Sequence, residues 1–189
     1  MVLCLIGASF LPFDLPAQSS RAGVTEISKI QAAYLRHIAE YARWPDSVEI
    51  ENRGIVIGVV GRDSQKIAGI LEYSVQSDIM VKVKGHAPEI RKFADVNADG
   101  LDECDFLYIL DSEGARTSQL LEALKGKPIL TASAIAGFTK QGGMIGLELI
   151  SGSQSRIVIA VNLQAAAQSS IQFSSKLLGL KKGVRIEGE

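Results

Sequence analysis

Apolar residues recur at helical spacing in the segment that follows the first 25 residues. Between positions 26 and 44 they occur every three or four residues, so they fall on one stripe of a helix. The stripe consists of Ile27, Ile30, Tyr34, Ile38 and Tyr41. Trp44 precedes Pro45, and the residue before a proline is pushed out of the helical region. The pattern predicts an amphipathic helix over residues 26–44.

Short apolar runs predict strands in the middle of the chain. Residues 55–60, 106–110 and 128–131 are rich in β-branched or aromatic side chains, which is typical of strands buried on both faces. Residues 80–84 alternate between apolar and polar positions, as a half-exposed strand does. Residues 86–104 follow neither period, and we expect an irregular loop there.

Helices are expected between these strands. Asp63 or Ser64 can cap a short helix that extends to about Leu71, and residues 118–124 predict another. Helices that alternate with strands are typical of a layered α/β domain, in which crossover helices flank the sheet.

The last third of the chain predicts a hairpin and a helix. Residues 144–150 and 156–161 flank a turn-prone quartet at 151–154, which favours an antiparallel hairpin. Asn162 stands at the N-cap position of a helix expected over residues 163–178. We therefore expect a single α/β domain over residues 26–180, with a mixed sheet flanked by helices, followed by a polar tail at 181–189.

The first 17 residues predict an export signal. Residues 1–13 are apolar and uncharged, and Ala17 provides the small residue that signal peptidase prefers. The run is too short for a membrane span of about 20 residues. No Lys or Arg precedes it, so a start upstream of Met1 is an open alternative, as are a buried N-terminal element and an uncleaved anchor. Export predicts a periplasmic protein.

Composition and charge narrow the candidate functions. Lys and Arg number 20 against 21 Asp and Glu, so no net field favours nucleic acid or anionic lipid. The two histidines, His37 and His86, have no metal-motif spacing, and we expect neither metal nor cofactor. Gly58 and Gly61 lack the remaining residues of a nucleotide-binding fingerprint, so a tight turn is favoured over a phosphate site. No catalytic constellation emerges, and the sequence predicts a protein that is not an enzyme.

Cysteine usage excludes an internal disulfide after export. Cys4 leaves with the predicted signal, so Cys104 remains as the one thiol of the mature chain. Cys104 precedes a buried strand, which favours an unpaired core thiol over an intermolecular bridge or a redox role.

Four segments together resemble the YfiR family. They are residues 29–45 (KIQAAYLRHIAEYARWP), 104–109 (CDFLYI), 129–144 (ILTASAIAGFTKQGGM) and 161–180 (VNLQAAAQSSIQFSSKLLGL). The family pattern has a helix that closes at Trp-Pro, a Cys-Asp strand, a Leu-Thr strand followed by Gly-Phe and Gly-Gly-Met, and a last helix opened by Asn. Order and spacing match across almost the whole mature chain.

The resemblance implies a periplasmic α/β protein that commonly forms dimers. The type member represses a membrane diguanylate cyclase by binding its periplasmic part, and an outer-membrane lipoprotein relieves the repression by capturing it. Cyclic di-GMP output and biofilm formation would then follow envelope conditions. Family disulfides respond to redox state, but this chain has no mature partner for Cys104, which places internal redox control in doubt.

The turn around Gly142 is the predicted partner-binding surface. Its glycines can expose backbone, while neighbouring apolar side chains can present contact area. The residues are Phe138, Gly142, Gly143, Met144 and Ile145. The alternative is that the glycines form a turn and that Phe138 and Met144 lie in the core.

Two functional hypotheses remain. The first is a periplasmic regulatory protein that restrains a membrane sensor, most simply a diguanylate cyclase. The second is a periplasmic protein that binds a nucleotide or an amino acid in a cleft at the strand ends of the sheet.

Overall fold

A seven-stranded mixed sheet forms the centre of the computed structural model, which describes residues 19–77, 82–83, 85–150, 156–179 and 183–187. The helices are α1 (Ser19–Tyr41), α2 (Ile50–Arg53), α3 (Ile67–Gln76), α4 (Thr117–Leu124), α5 (Leu163–Gln168) and α6 (Ser175–Leu178). The strands are β1 (Ala42–Arg43), β2 (Val56–Val60), β3 (Glu89–Phe93), β4 (Phe106–Ile109), β5 (Leu130–Ser133), β6 (Ile145–Ile150), β7 (Arg156–Asn162), β8 (Gln172–Phe173) and β9 (Val184–Glu187).

The strand order across the sheet is β3-β2-β4-β5-β6-β7-β9. Strands β2 to β6 are parallel, β7 pairs antiparallel with β6, and β9 pairs parallel with β7. Strands β1 and β8 form a separate two-stranded sheet. The predicted α/β class with a mixed sheet and a C-terminal hairpin is confirmed.

Alternation along the strands divides the core into two layers. Phe106 and Tyr108 of β4 pack in the layer that contains α1 and α3, whereas Leu107 and Ile109 pack in the layer that contains α4. Successive side chains of a strand point to opposite faces, so an apolar strand such as β4 supplies both layers.

Helix α1 is buried along a stripe that shares Ile38 with the predicted one and otherwise differs from it. Ile30 is 46% exposed, and Tyr34 and Tyr41 are only half-buried. The buried side chains of α1 are Ser28, Gln31, Ala32, Leu35, Ile38 and Ala39. Small alanine side chains let the helix pack closely against its neighbours, which larger apolar residues at the same positions would prevent.

The expected loop at 86–104 contains a strand. Residues 89–93 form β3, which pairs parallel with β2 at the edge of the sheet. An edge strand pairs on one side only and carries charged side chains, so it lacks the apolar run of a central strand. The strand expected at 80–84 lies mostly outside the described residues; within them Val83 forms an isolated bridge with His86.

The long helix expected at 163–178 ends early. Asn162 caps it as predicted, because its side-chain oxygen accepts from the Ala165 N–H at 2.9 Å. Ser170 then adopts a left-handed φ of 56°, and the Ile171 N–H donates to the Ala166 carbonyl at 2.9 Å. This is a Schellman ending, which terminates a helix. It frees Gln172–Phe173 to pair with β1.

The segment 181–189, which we expected to be a polar tail, contains a strand in its described part. Val184–Glu187 form β9, which pairs parallel with β7, and Val184 lies opposite Ile159 of β7. Alternating apolar and charged residues allow a strand with one face on the core, and that pattern is too short to stand out in the sequence. Strand β5 begins at Leu130, two residues later than predicted. The predicted export signal at 1–17 lies outside the described residues.

The Asp105 carboxylate joins the first half of the chain to the sheet. Arg53 donates to its two oxygens at 2.7 and 2.8 Å, and the Val56 N–H donates to it at 2.8 Å. The hydrogen bond to Asp105 raises the pKa of the Arg53 guanidinium. The backbone carbonyl of Asp105 also accepts from Trp44 Nε1 at 3.0 Å, so the Trp-Pro and Cys-Asp motifs meet at one residue.

We expect Asp105→Ala to lower the free energy of unfolding by about 2–4 kcal/mol. The substitution leaves the buried Val56 N–H without an acceptor and removes both hydrogen bonds from the Arg53 guanidinium. Asp105→Asn keeps one acceptor and should cost about half as much. The matched control is Asp102→Ala, which removes an exposed carboxylate and should change stability by less than about 0.5 kcal/mol. Urea unfolding measures all three, and equal effects of the two alanine variants would contradict the assignment.

Candidate functional site

The residues that carry the sequence motifs mostly hold the framework together. Thr131 Oγ1 accepts from the Met144 N–H at 3.2 Å, and Asn162 Nδ2 donates to the Thr139 carbonyl at 2.9 Å. Together with the Trp44–Asp105 bond, these contacts join the strands to the turn and to α5. The motif residues thus define a rigid scaffold, and recognition has to occur at exposed residues beside them.

The predicted partner-binding residues divide into buried and exposed ones. Phe138 and Met144 are 1% and 5% exposed, as the core alternative predicts, and Ile145 is also buried, at 0%. A Cβ built at Gly143 would lie 2.1 Å from the Phe138 ring, so this glycine makes room for the aromatic side chain. Gly142 is exposed, with a φ of 99°. The turn presents Gly142, whereas the apolar side chains next to it are almost fully buried.

A cleft of about 290 Å³ opens beside this turn. We call it the turn cleft; its walls come from the 139–142 turn, α4 and α5, and Met144 reaches its surface. Exposed polar side chains line it, namely Glu122, Lys125, Lys140, Gln141, Gln164 and Gln168. Polar, hydrogen-bonding side chains around a smaller apolar area suit a protein interface with a polar rim.

Glu187 of β9 connects the turn cleft to the edge of the sheet. The Thr139 hydroxyl donates a hydrogen bond to the Glu187 carboxylate, and Arg185 donates to the same carboxylate at 2.7 Å. The bonds from Thr139 and then Arg185 lower the pKa of the Glu187 carboxyl. The carboxylate is therefore ionised at neutral pH and holds the turn against β9.

A second, more apolar groove lies beside Trp44. This Trp44 groove encloses about 890 Å³ and is open to solvent. Trp44, Leu163, Ile171 and Phe173 contribute its apolar walls. Trp44 is half-buried, and its indole N–H is already bonded to Asp105, so its ring orientation is fixed by the scaffold.

The carboxyl ends of β2 and β4, where an α/β sheet usually binds a small ligand, are filled by protein. Ser112 Oγ accepts from the Arg62 N–H at 2.8 Å and would lie 2.5 Å from a Cβ built at Gly61. Glu113 is buried there, with its carboxylate 2.7 Å from Arg116. Asp63 caps α3 by accepting from the Ile67 and Ala68 N–H groups at 2.8 Å. These contacts occupy the position at which the small-ligand hypothesis places its cleft.

Cys104 is buried, as its position before a buried strand predicts, and its thiol is free. Burial raises its pKa to about 11, so almost none of it is thiolate at neutral pH. Its Sγ lies 3.9 Å from the Gly100 carbonyl.

The described ranges contain neither a metal cluster nor a membrane span. Within them, no three His, Cys, Asp or Glu side chains group closely enough to hold a metal ion. Among the helices of those ranges, none has the length and apolar character needed to span a bilayer. His37 lies 3.5 Å from Glu40 and stacks on Tyr41, which assigns it a local packing role on α1.

Sequence reasoning missed most of the turn cleft wall. Lys140 and Gln141 follow Phe138 closely, but Glu122, Lys125 and Gln168 are distant in sequence and come from or directly follow separate helices. Exposed Lys, Glu and Gln on helices are ordinary surface residues, so no sequence signal marks the ones that share a cleft.

The family comparison agrees with the resemblance found in the sequence. A family model described as YfiR/HmsC-like matches residues 28–182. No curated protein sequence matches the chain.

Gly143→Ala should destabilise the protein by about 1–3 kcal/mol, because the new methyl group overlaps the Phe138 ring. Phe138→Leu removes part of that ring, and in the double variant the cost of Gly143→Ala should fall by at least about 1 kcal/mol. The control is Gly142→Ala, which has open space but a left-handed φ and should cost about 1 kcal/mol with or without Phe138→Leu. A thermodynamic cycle from urea unfolding measures the coupling, and additive costs for Gly143→Ala and Phe138→Leu would contradict the packing role.

Cys104 should react slowly with iodoacetamide in the folded protein. The raised pKa alone lowers its thiolate fraction at pH 8 by about 100-fold relative to an exposed thiol, and burial slows the reaction further. Mass spectrometry of alkylation in buffer and in urea measures the ratio of rates. Similar rates in both would show that the thiol is exposed.

Proposed function

Because the chain belongs to the YfiR/HmsC-like family, we propose that it is a periplasmic regulatory protein that binds and restrains a membrane signalling protein. The family match over residues 28–182 is the observation that carries this proposal. The partner that the family pattern favours is the periplasmic part of a diguanylate cyclase. The expected output is the level of cyclic di-GMP and, through it, biofilm formation.

We assign the partner contact to the turn cleft. The surface is anchored on both sides, because Asn162 bonds the Thr139 carbonyl and Glu187 bonds the Thr139 hydroxyl. A surface held in this way loses little conformational entropy when it binds, which favours affinity. Lys140 and Gln141 are exposed at its rim and supply donors to a partner.

To restrain a sensor, the protein must have different affinities for the inactive and the active state of that sensor. A bound protein shifts a sensor toward its inactive state only if it binds that state more tightly than the active one. A lipoprotein of the outer membrane that occupies the same surface would compete with the sensor and release it. One folded surface with two exclusive partners is then sufficient for regulation, without chemistry at any side chain.

Deletion of the gene should raise cyclic di-GMP, and the wild-type gene should restore the original level. In a double variant, Lys140→Glu reverses a charge on one wall of the turn cleft and Gln164→Glu adds a negative charge on another. This variant should fail to restore the original level of cyclic di-GMP. Measurement of cyclic di-GMP by mass spectrometry tests this, with immunoblots of periplasmic extracts to show equal amounts and export.

The matched control is Arg62→Glu, an exposed charge reversal just beyond the carboxyl end of β2, which should restore the level fully. An unchanged level after deletion would exclude regulation of a cyclase. Full restoration by the cleft variant would instead exclude the turn cleft as the contact.

A further inference from the structure

The rim of the turn cleft carries a lysine that forms no ion pair with the described residues. Lys125 lies 3.5 Å from Glu122, so these two rim charges already pair with each other. Lys140 is exposed and has no such partner in the described ranges. The nearby Glu187 carboxylate, which Lys140 attracts, already accepts two other hydrogen bonds. An acidic side chain of a partner would therefore gain an ion pair at Lys140 without breaking one.

Three glutamine side chains supply hydrogen-bonding groups around the same cleft. Gln164 and Gln168 are exposed on α5, and neither side chain has a hydrogen bond to a described residue. The Gln141 side-chain oxygen accepts from the Ser118 hydroxyl at 3.1 Å, which leaves the N–H donors of that amide open. A carboxamide carries both donors and an acceptor, so it can bond the N–H or the C=O of a peptide. The cleft can therefore bind a polypeptide main chain.

The spacing of the two glutamines on α5 matches that of an extended chain. They are four residues apart in the helix, so their side chains lie on one face with a rise of about 6 Å between them. Alternate residues of an extended chain repeat every 6.6 to 6.8 Å or about that distance. A segment that runs along α5 can thus offer a backbone group to each glutamine in turn. A helical segment has its backbone groups bonded internally and cannot use these amides in this way.

The floor of the cleft is apolar. The residues that form it are buried side chains of α4, of the start of β5 and of the turn, namely Leu121, Leu124, Ile129 and Met144. An extended segment turns alternate side chains to the same side, so it can place an apolar side chain on this floor. The volume of about 290 Å³ suits a short segment rather than a folded domain, since pockets for small ligands begin at about 300 Å³.

We propose that the turn cleft binds an extended, acidic segment of the membrane partner. The main chain of this segment bonds Gln164 and Gln168, and an Asp or Glu side chain of the segment pairs with Lys140. The inference rests on the function proposed above, because it specifies the chemistry of the partner at the same cleft. A nucleic acid would need several cations along its backbone, whereas the described rim offers Lys140 alone outside an ion pair, which favours an acidic peptide.

Photo-crosslinking in cells identifies the segment. Lys125→p-benzoylphenylalanine places the crosslinker on the cleft wall, at a residue that makes none of the proposed contacts. We expect mass spectrometry to find a crosslinked segment from the periplasmic part of a membrane protein, with an Asp or Glu within about four residues of the crosslink. Gln76→p-benzoylphenylalanine, at the end of α3, is the control and should not crosslink this segment. Absence of such a crosslink from the cleft, or a segment without acidic residues, overturns the proposal.

A blocked synthetic peptide with the sequence of that segment tests the contacts. Isothermal titration of the purified protein measures its dissociation constant. Lys140→Glu should raise this constant at least about tenfold, and a peptide that carries lysine at the acidic position should recover most of the loss. The double variant Gln164→Leu with Gln168→Leu should also raise it about tenfold, because leucine keeps the approximate size and removes the amide groups. Circular dichroism shows that each variant is folded.

Arg62→Glu and Gln76→Leu are the controls for charge reversal and for loss of an amide, because both residues are exposed and lie outside the cleft. Both variants should bind the peptide as the wild type does. Failure of the peptide to bind the wild type overturns the proposal, as do unchanged binding by Lys140→Glu or by the double variant, and failure of the lysine peptide to recover binding. The proposed function fails by a different result, an unchanged level of cyclic di-GMP after deletion, whether or not the peptide binds.

Discussion

The ion pair between Arg53 and the buried Asp105 carboxylate is the contact on which the arrangement of the molecule depends. Asp105 accepts from Arg53 and Val56 through its side chain and from Trp44 through its carbonyl. These donors come from the segment after α1, from α2 and from the start of β2. Burying a carboxylate is unfavourable unless each oxygen is bonded, and here both are. The constraint fixes where α1 ends relative to the sheet and orients the indole of Trp44.

The elements that could be predicted from the sequence are those whose local pattern matches their burial. Strands β2 and β4 are buried on both faces and appear as continuous apolar runs. The edge strands β3 and β9 were beyond prediction, because among the described residues each pairs on one side only, and each carries charged side chains. The early end of α5 depends on the left-handed Ser170, and serine gives no local signal for that conformation. The pairing of β8 with β1, which needs an extended chain directly after Ser170, favours the early end of α5.

The candidate site was predictable at its turn but not at its walls. A Gly-Gly pair predicts a turn, and Gly142 is exposed with a left-handed φ. The same reasoning could not decide whether Phe138 and Met144 face a partner or the core, since apolar residues serve both. Packing decides it, because Phe138 fills the space over Gly143. Helix α1 shows the converse case, where alanines are buried and Ile30 is exposed.

The distribution of open and closed surfaces argues for recognition of proteins. The carboxyl ends of β2 and β4 are closed by Ser112 and Glu113, so the usual ligand position of an α/β sheet is occupied by the chain itself. Among the described residues, the turn cleft and the Trp44 groove remain open to a partner. Glu187 of β9 accepts a hydrogen bond from Thr139, so the last strand helps to hold the turn that borders the turn cleft, and a partner there would meet a surface that is already fixed.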